Sequence, residues 1–403
     1  MNKSGMSPSI VRFCLALLAI VFFSCAAIAQ STTDGAIGGL VTDQSGAVVP
    51  GANVSSRNLG TGGSSTAATD GIGRYTLTHL QPGLYSLEII AKGFAGYKAT
   101  NITVEVGRLT PIDATLDVKS QTEIIVATAE APVIVTDRAD FSTNINSTSI
   151  DNLPINGRRW SSFALSSPGA VPDGGFGLVS FRGISGLLNN NTVDGADNNQ
   201  AFFSEERGRT RISYSTSEAA IQEFQINTSN YSAEYGRSAG GVVNAVTKSG
   251  TNQIRGQAFW YFRNSDWGAI NPFSIKKVVV NGVTTAVPFL PEDKRHQFGG
   301  GVGGPIVKDK LFFFFSGDQQ LRSFPAVATT GTPGALFAPL TTAELSTLTA
   351  RGITASQANV GLAFLQTLTG QVPRTGDQLI LLPKIDWNIN SKHRASFTYN
   401  RLR

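Results

Sequence analysis

The sequence predicts a mainly β chain: an N-terminal β-sandwich, a mixed α+β middle, and the first strands of an antiparallel transmembrane β-barrel. Three observations carry that expectation. Charged residues are only 15% of the 403, while 43 residues are glycine, a composition of short strands and many turns. Between residues 34 and 118, short apolar runs are punctuated by turn signals. Beyond residue 251, polar and apolar residues alternate with period two over stretches of about ten residues, the pattern of membrane-crossing strands.

The N-terminus reads as an export signal. Lys3 and Arg12 flank and precede the apolar run "FCLALLAIVFF" (13–23), and Ala27-Ile28-Ala29 supplies an A-x-A cleavage site before Gln30. The apolar run is too short to span a bilayer as a helix. Lipidation at Cys25 is the alternative, but Phe22 and Phe23 fit a lipidation box poorly. Both cysteines, Cys14 and Cys25, precede Gln30, so the mature chain has no disulfide, no thiol nucleophile and no cysteine metal site. Loss of Lys3 and Arg12 lowers the net charge from +5 to about +3. With no basic cluster, that balance excludes nucleic acid as an expected partner. No stretch after residue 30 holds 18 consecutive apolar residues, which leaves a soluble exported protein or a β-barrel.

Residues 34–118 divide into strands at Asp43-Gln44-Ser45-Gly46, Pro50-Gly51 and Pro82-Gly83. Tyr85, Leu87 and Ile89 share one face by alternation, as a half-buried strand requires. Residues 119–135 read as an exposed connector with an extended apolar patch. Residues 136–250 mix short strands with at most one or two helices; "SEAAIQEFQI" (217–226) fits helix or strand. In the barrel region, Ala258, Trp260 and Phe262 oppose Gln257, Phe259, Tyr261 and Arg263. Lys384, Asp386 and Asn388 oppose Ile385, Trp387 and Ile389, and Arg394, Ser396, Thr398 and Asn400 oppose Ala395, Phe397 and Tyr399. Residues 323–376, rich in Thr, Ala and Gly, are expected to form a long extracellular loop.

Catalytic and metal constellations are not found. His79, His296 and His393 are isolated, and no G-x-S-x-G elbow occurs. Gly299, Gly301 and Gly304 form a formal G-x-G-x-x-G, but Pro305 and a strand follow where a helix would be needed. Glu205 and Glu206 sit among Arg207, Arg209 and Arg211, a solvated charge cluster. Asp194 and Asp197 are three apart and lack the terminal glutamate of a calcium loop. The expected reading there is a strand closed by an Asp-Gly turn, with the neighbouring asparagines tolerating left-handed backbone. No enzyme activity and no cofactor are expected.

These stretches also carry a family resemblance. Asp43, Gly46, Pro50, Gly51, Ala52, Val54, Gly73, Tyr75, Leu80, Pro82, Gly83 and Tyr85 form a pattern similar to carboxypeptidase-regulatory-like domains, which are transthyretin- or immunoglobulin-like sandwiches. "FRGISGLLNNNTVDGADNN" (181–199) resembles the plug signature of TonB-dependent outer-membrane receptors. "LPINGRRW", "EFQINTSNYSAEYGRSAGG" and "QFGGGVGGPIVKDKLFFFFSGD" resemble the Oar-like subgroup of those receptors. The resemblance implies a signal peptide (1–29), a regulatory-like sandwich (34–118), a linker (119–135), a plug domain (136–250) and the start of an outer-membrane barrel (251–403).

It further implies a receptor or transporter for an unidentified ligand, seated in outer-membrane lipid and energised by the periplasmic TonB complex. Contact with that complex is expected at Glu123, Ile124, Ile125, Val126 and Ala127, where an extended segment offers main-chain hydrogen bonds to a partner strand. An ordinary linker strand is the competing account. Arg182-Gly183 and Asp194-Gly195, with Asp197, are expected to be strand-and-turn positions shaping a gate, aided by a buried Arg–Asp contact. A plugged barrel takes about 22 strands, and residues 251–403 hold five or six. The chain is therefore expected to be an N-terminal fragment of a receptor. The alternatives are an envelope binding or adhesion protein without transport, or a non-functional receptor fragment.

Overall fold

A computed structural model describes residues 32–118, 125–128, 141–153, 155, 158–174, 178–201, 207, 214–280, 283–328, 330, 336–391 and 393–403. The expected cleavage residues Ala27 and Ala29, and Glu123 and Ile124 of the expected partner segment, lie outside them.

The N-terminal strands are β1 (Gly35–Asp43), β2 (Asn53–Asn58), β3 (Ser64–Ala68), β4 (Arg74–Leu80), β5 (Gly83–Ile90), β6 (Tyr97–Val104), β7 (Leu109–Pro111), β8 (Ala114–Leu116) and β9 (Ile125–Thr128). One sheet has the order β4-β1-β7, with β8 also pairing β1; the other runs β3-β2-β5-β6-β9. Between them lies one core containing Ile37, Val41, Val54, Leu77, Leu87, Ile89, Ile102 and Leu116. Alternation in β5 buries Tyr85, Leu87 and Ile89 together, as period two dictates. Each fully buried Leu or Ile contributes about 1.5–3 kcal/mol of transfer free energy. Gly39 shows what the glycines of "GAIGGL" are for. A Cβ there would lie 2.0 Å from the Ile112 carbonyl oxygen, so only glycine lets the chain leaving β7 run beside β1.

The central elements are β10 (Phe141–Asn146), α1 (Ser147–Asn152), β11 (Ala170–Pro172), β12 (Val179–Phe181), β13 (Asn190–Val193), β14 (Ala196–Asp197), β15 (Ile221–Ser229) and β16 (Val242–Thr247). Their main sheet is ordered β10-β15-β16-β13-β14. The 217–226 stretch resolves as a short 3-10 turn, Glu218–Ala220, running into β15. Strand wins because β15 is paired on both edges and buries Ile221, Phe224 and Ile226 in the core with Phe163, Phe181 and Val243.

The barrel region supplies β17 (Arg255–Asn264), β18 (Ile275–Val280), β19 (Val283–Pro288), β20 (Lys294–Val307), β21 (Leu311–Ser323), β22 (Ala326–Ala328), α2 (Thr342–Ala350), α3 (Ala355–Thr367), β23 (Gly370–Val372), β24 (Gln378–Asn388), β25 (Arg394–Thr398) and β26 (Arg401–Leu402). The large sheet runs β17-β20-β21-β24-β25 with β26 also on β24, and it is open. β20 has 14 residues and β21 has 13. At about 3.3 Å per residue, either crosses a hydrocarbon core about 30 Å thick even when tilted. Trp260, Trp387, Phe397 and Tyr399 are exposed on the outer face.

Long connections leave one end of this sheet (265–293 and 324–377), and short turns (308–310 and 389–393) close the other. The expected 323–376 loop is not structureless. It contains α2 and α3, each opened by a capping box, Thr341 with Glu344 and Thr354 with Gln357. The G-x-G-x-x-G glycines all lie inside β20, paired with β17 and β21, with no helix after them.

Candidate functional site

The inner face of the open sheet is covered by the central unit, and the contact is mainly polar, with one apolar patch where Ala220 meets Phe314 and Leu382. Asp194 and Gly195 connect β13 to β14 as a two-residue hairpin loop with φ of 50° and 77°, the left-handed pair of a type I′ turn. The turn aims the Asp194 carboxylate at the barrel wall. It accepts from the Thr247 amide (2.8 Å), the Thr247 hydroxyl (2.6 Å) and the Thr398 hydroxyl of β25 (3.0 Å). The Lys384 ammonium of β24 lies 3.6 Å away and donates to the Thr247 hydroxyl (3.0 Å) and carbonyl (3.2 Å). Lys384 is buried, so this ion pair is shielded from solvent.

The expected buried Arg–Asp contact is therefore replaced. The cation beside Asp194 is Lys384, whereas Arg182 is solvent-exposed on a hairpin of its own. Arg182 and Gly183 have φ of 53° and 84° and join the Phe181–Ile184 bridge. Asp197 pairs with Arg237 instead. Burial alone would raise the Asp197 pKa, but hydrogen bonds from Asn199 and the Arg237 charge outweigh it and hold the carboxyl below its ordinary value.

The asparagines also differ from expectation. None of Asn189, Asn190, Asn191, Asn198 or Asn199 is left-handed. They are buried, and they satisfy buried polar groups: the Asn189 side chain accepts the Gly241 amide (3.0 Å), the Asn199 side-chain amide donates to Asn190 Oδ1 (2.7 Å), and the Asn191 side-chain amide donates to Asn199 Oδ1 (3.1 Å).

A second cluster lies toward the long-connection end. The Tyr214 hydroxyl donates to Asp318 of β21 (2.7 Å) and accepts from Gln297 of β20 (2.6 Å), while the Ser217 hydroxyl donates to Asp318 (2.9 Å). Gln378 of β24 donates to the Tyr214 carbonyl. Burial, then the Asp318 charge, pushes the Tyr214 pKa far above the ordinary phenol value, so the hydroxyl stays a donor. Asn400 donates to the Ser215 carbonyl (3.0 Å) and the Thr216 hydroxyl (3.1 Å). Arg158 adds an anchor on β17, its guanidinium 4.4 Å from the Phe259 ring centre and 4.5 Å from that of Tyr261. It also pairs with Glu218 at 3.2 Å. Burial raises the Glu218 pKa against the pull of that cation.

The N-terminal sheets meet the short-turn end. Asp34 pairs with Arg394 at 2.8 Å, and Asn252 links the Gly60 carbonyl (2.9 Å) to Asp309 of the 308–310 turn (2.8 Å). The Val106 amide donates to Glu223 of β15, and Asn144 donates to the Val106 carbonyl (3.1 Å). Burial pushes the Glu223 pKa up to about 7, the Val106 amide opposing it. A cavity of about 1200 Å³ lies among these three parts, with Asp34, Asp151, Lys248, Asp386 and Arg394 on its walls.

Of the expected partner segment, Ile125–Ala127 fall in β9, which adds in parallel to the edge of β6 with Tyr97 opposite Ile125 and Ala99 opposite Ala127. Among the described residues no group of three or more His, Cys, Asp or Glu is placed to hold a metal. The side chains joining the two bodies (Lys384, Thr247, Tyr214, Asp318, Gln297, Arg158) were not singled out as site residues by the sequence. The polar-inward alternation marks Lys384 and Thr398, but nothing local marks their partners.

An open sheet with exposed aromatics on its outer face and a mainly polar inner face packed on a separate β unit has the pattern of an outer-membrane barrel wall. Residues 246–403 match the outer membrane beta barrel domain, and residues 36–117 match the carboxypeptidase regulatory-like domain. The chain is an outer-membrane protein. It is homologous to TonB-dependent transporter Oar of Myxococcus xanthus, with 28% identity over 302 residues, covering 73% of this chain and 27% of that protein. The chain thus spans about a quarter of the length of that relative. Among solved structures it is similar to the outer membrane transporter YddB from Escherichia coli, with a TM-score of 0.43, 14% identity and coverage of 65% of this chain and 33% of that one. It is also similar to a mutant of the ferric enterobactin receptor PfeA from Pseudomonas aeruginosa, with a TM-score of 0.38, 13% identity and coverage of 64% and 32%.

Proposed function

We propose that the chain belongs to a TonB-dependent outer-membrane receptor that takes up an unidentified ligand, with residues 136–250 acting as its plug. The observation that carries this is the bonding of the central unit to the inner wall through buried hydrogen bonds and ion pairs, among them Asp194 with Lys384 and Thr398, and Tyr214 with Asp318 and Gln297. A plug must be fixed well enough to seal and yet be releasable. Hydrogen bonds and an ion pair to a polar wall suit that better than an apolar core, because water can replace them when the unit moves. Energy enters through Glu123–Ala127, whose described part, Ile125–Ala127, lies in the edge strand β9 and suits β-augmentation by a partner. Arg182-Gly183 and Asp194-Gly195 act as rigid hairpins that shape the gate. The chemistry is transport, and no residue is assigned a catalytic role.

The plug reading is tested by cross-linking. No cysteine follows Cys25, so Thr216→Cys with Asn400→Cys introduces a unique pair across the wall contact. The reading predicts a disulfide in outer-membrane preparations without added catalyst. A chain that shows heat-modifiable barrel mobility yet leaves both thiols open to alkylation contradicts it.

A further inference from the structure

Three arginines stand abreast on the inner wall at its long-connection end. In the strand register Arg263 of β17 lies opposite Arg295 of β20, and Arg295 lies opposite Arg322 of β21. All three share the inward face. Phe259 and Tyr261, four and two residues before Arg263, touch Arg158 of the central unit. Gln297, two residues after Arg295, meets Tyr214, and Asp318, four before Arg322, does the same. Neighbouring strands are about 4.8 Å apart, so the row packs three permanent cations side by side.

Like charges directly opposite each other destabilise a sheet, and a wall built only for packing has no use for them. The described carboxylates do not cancel the row. Asp293 takes Arg322 through two bonds of 2.8 and 3.0 Å, and neither Arg263 nor Arg295 makes an ion pair with a described residue. Arg374 adds a fourth guanidinium beside the row: Arg322 and Arg374 lie 4.2 and 4.0 Å from the Phe324 ring centre. The Tyr214–Gln297–Asp318 cluster forms the floor directly below.

We propose that this row is an anion-binding site, and that the transported ligand carries at least two phosphate or carboxylate groups. Guanidinium forks match both groups in bidentate geometry, which a lysine row would not. An anion spanning Arg263 and Arg295 relieves their repulsion and rests against the top of the central unit. The proposal rests on the receptor reading and gives its ligand a charge class. The row faces inward, away from the aromatic lipid-facing side, so its occupant is a soluble polyanion.

The test is isothermal titration of the detergent-solubilised chain with tripolyphosphate at low and high salt, repeated with lipid A added. Saturable binding that weakens with salt is expected. Arg295→Gln and Arg263→Gln should each weaken it tenfold or more, Arg295→Lys less so, and Arg255→Gln, at the other end of β17, should leave it unchanged. Persistence of binding with lipid A present supports a soluble ligand, whereas displacement by lipid A contradicts a transported one. Absence of saturable binding, or equal weakening by Arg255→Gln, overturns it. Capture of the TonB periplasmic domain, read on the same samples, separates the two readings. Capture without anion binding sinks only the anion site, whereas anion binding without capture sinks only the TonB-energised receptor.

Discussion

Glu223 offers the sharpest prediction, because its environment converts directly into a pH dependence. The carboxyl is buried between the 105–108 turn and the central sheet, where it accepts the Val106 amide; Glu105 and Arg108, paired with each other at 2.6 Å, are the nearest charges. Burial pushes its pKa up to about 7 from 4.5. A raised native pKa means that the native state holds the proton over a range where the unfolded chain has released it. Stability is therefore fully present below about pH 4.5 and falls as pH rises through about 7. A shift of this size corresponds to about 3 kcal/mol, at roughly 1.4 kcal/mol per pH unit. Glu223→Gln keeps an acceptor for Val106 and removes the charge. The variant should match the wild type at pH 4.5 and exceed it by up to about 3 kcal/mol at pH 8, measured by urea unfolding at a series of pH values. A wild-type curve that is flat between pH 5 and 7, or a Gln variant that is less stable at pH 8, refutes the reasoning.

Two further predictions concern the wall contact. Asp194→Ala strands the buried Lys384 ammonium and should cost about 3–5 kcal/mol; adding Lys384→Met should recover more than 1 kcal/mol of that, whereas strict additivity in a double-mutant cycle would deny the ion pair. Arg158→Ala leaves Glu218 buried without its cation and should be similarly costly. Pairing it with Glu218→Gln should restore most of the loss in the same unfolding assay, and no restoration would assign the cost to the Phe259–Tyr261 stacking instead.

What the sequence made legible was local. Period-two alternation placed Tyr85, Leu87 and Ile89 inside, and it put Lys384, Asp386, Ser396, Thr398 and Asn400 on the inner wall, because a strand's two faces are dictated by the backbone itself. The Asp194-Gly195 turn was readable because few dipeptides tolerate two left-handed residues. What was not legible is the pairing over distance. Nothing near Asp194 announces Lys384, 190 residues away. The asparagines read as turn formers because that is their commonest local use, whereas their role here depends on burial that only the folded sheet creates. The 341–367 helices were missed because Thr, Ala and Gly suggest a loop, although Thr341-x-x-Glu344 carried a capping signal.

The central claim, a TonB-energised receptor, is tested most directly by capture of outer-membrane-embedded chain on the periplasmic domain of TonB, comparing wild type with Ile125→Pro. Proline removes a strand donor from the segment. The account predicts capture by the wild type and loss of at least tenfold in the variant; equal capture by both, or none by either, contradicts it.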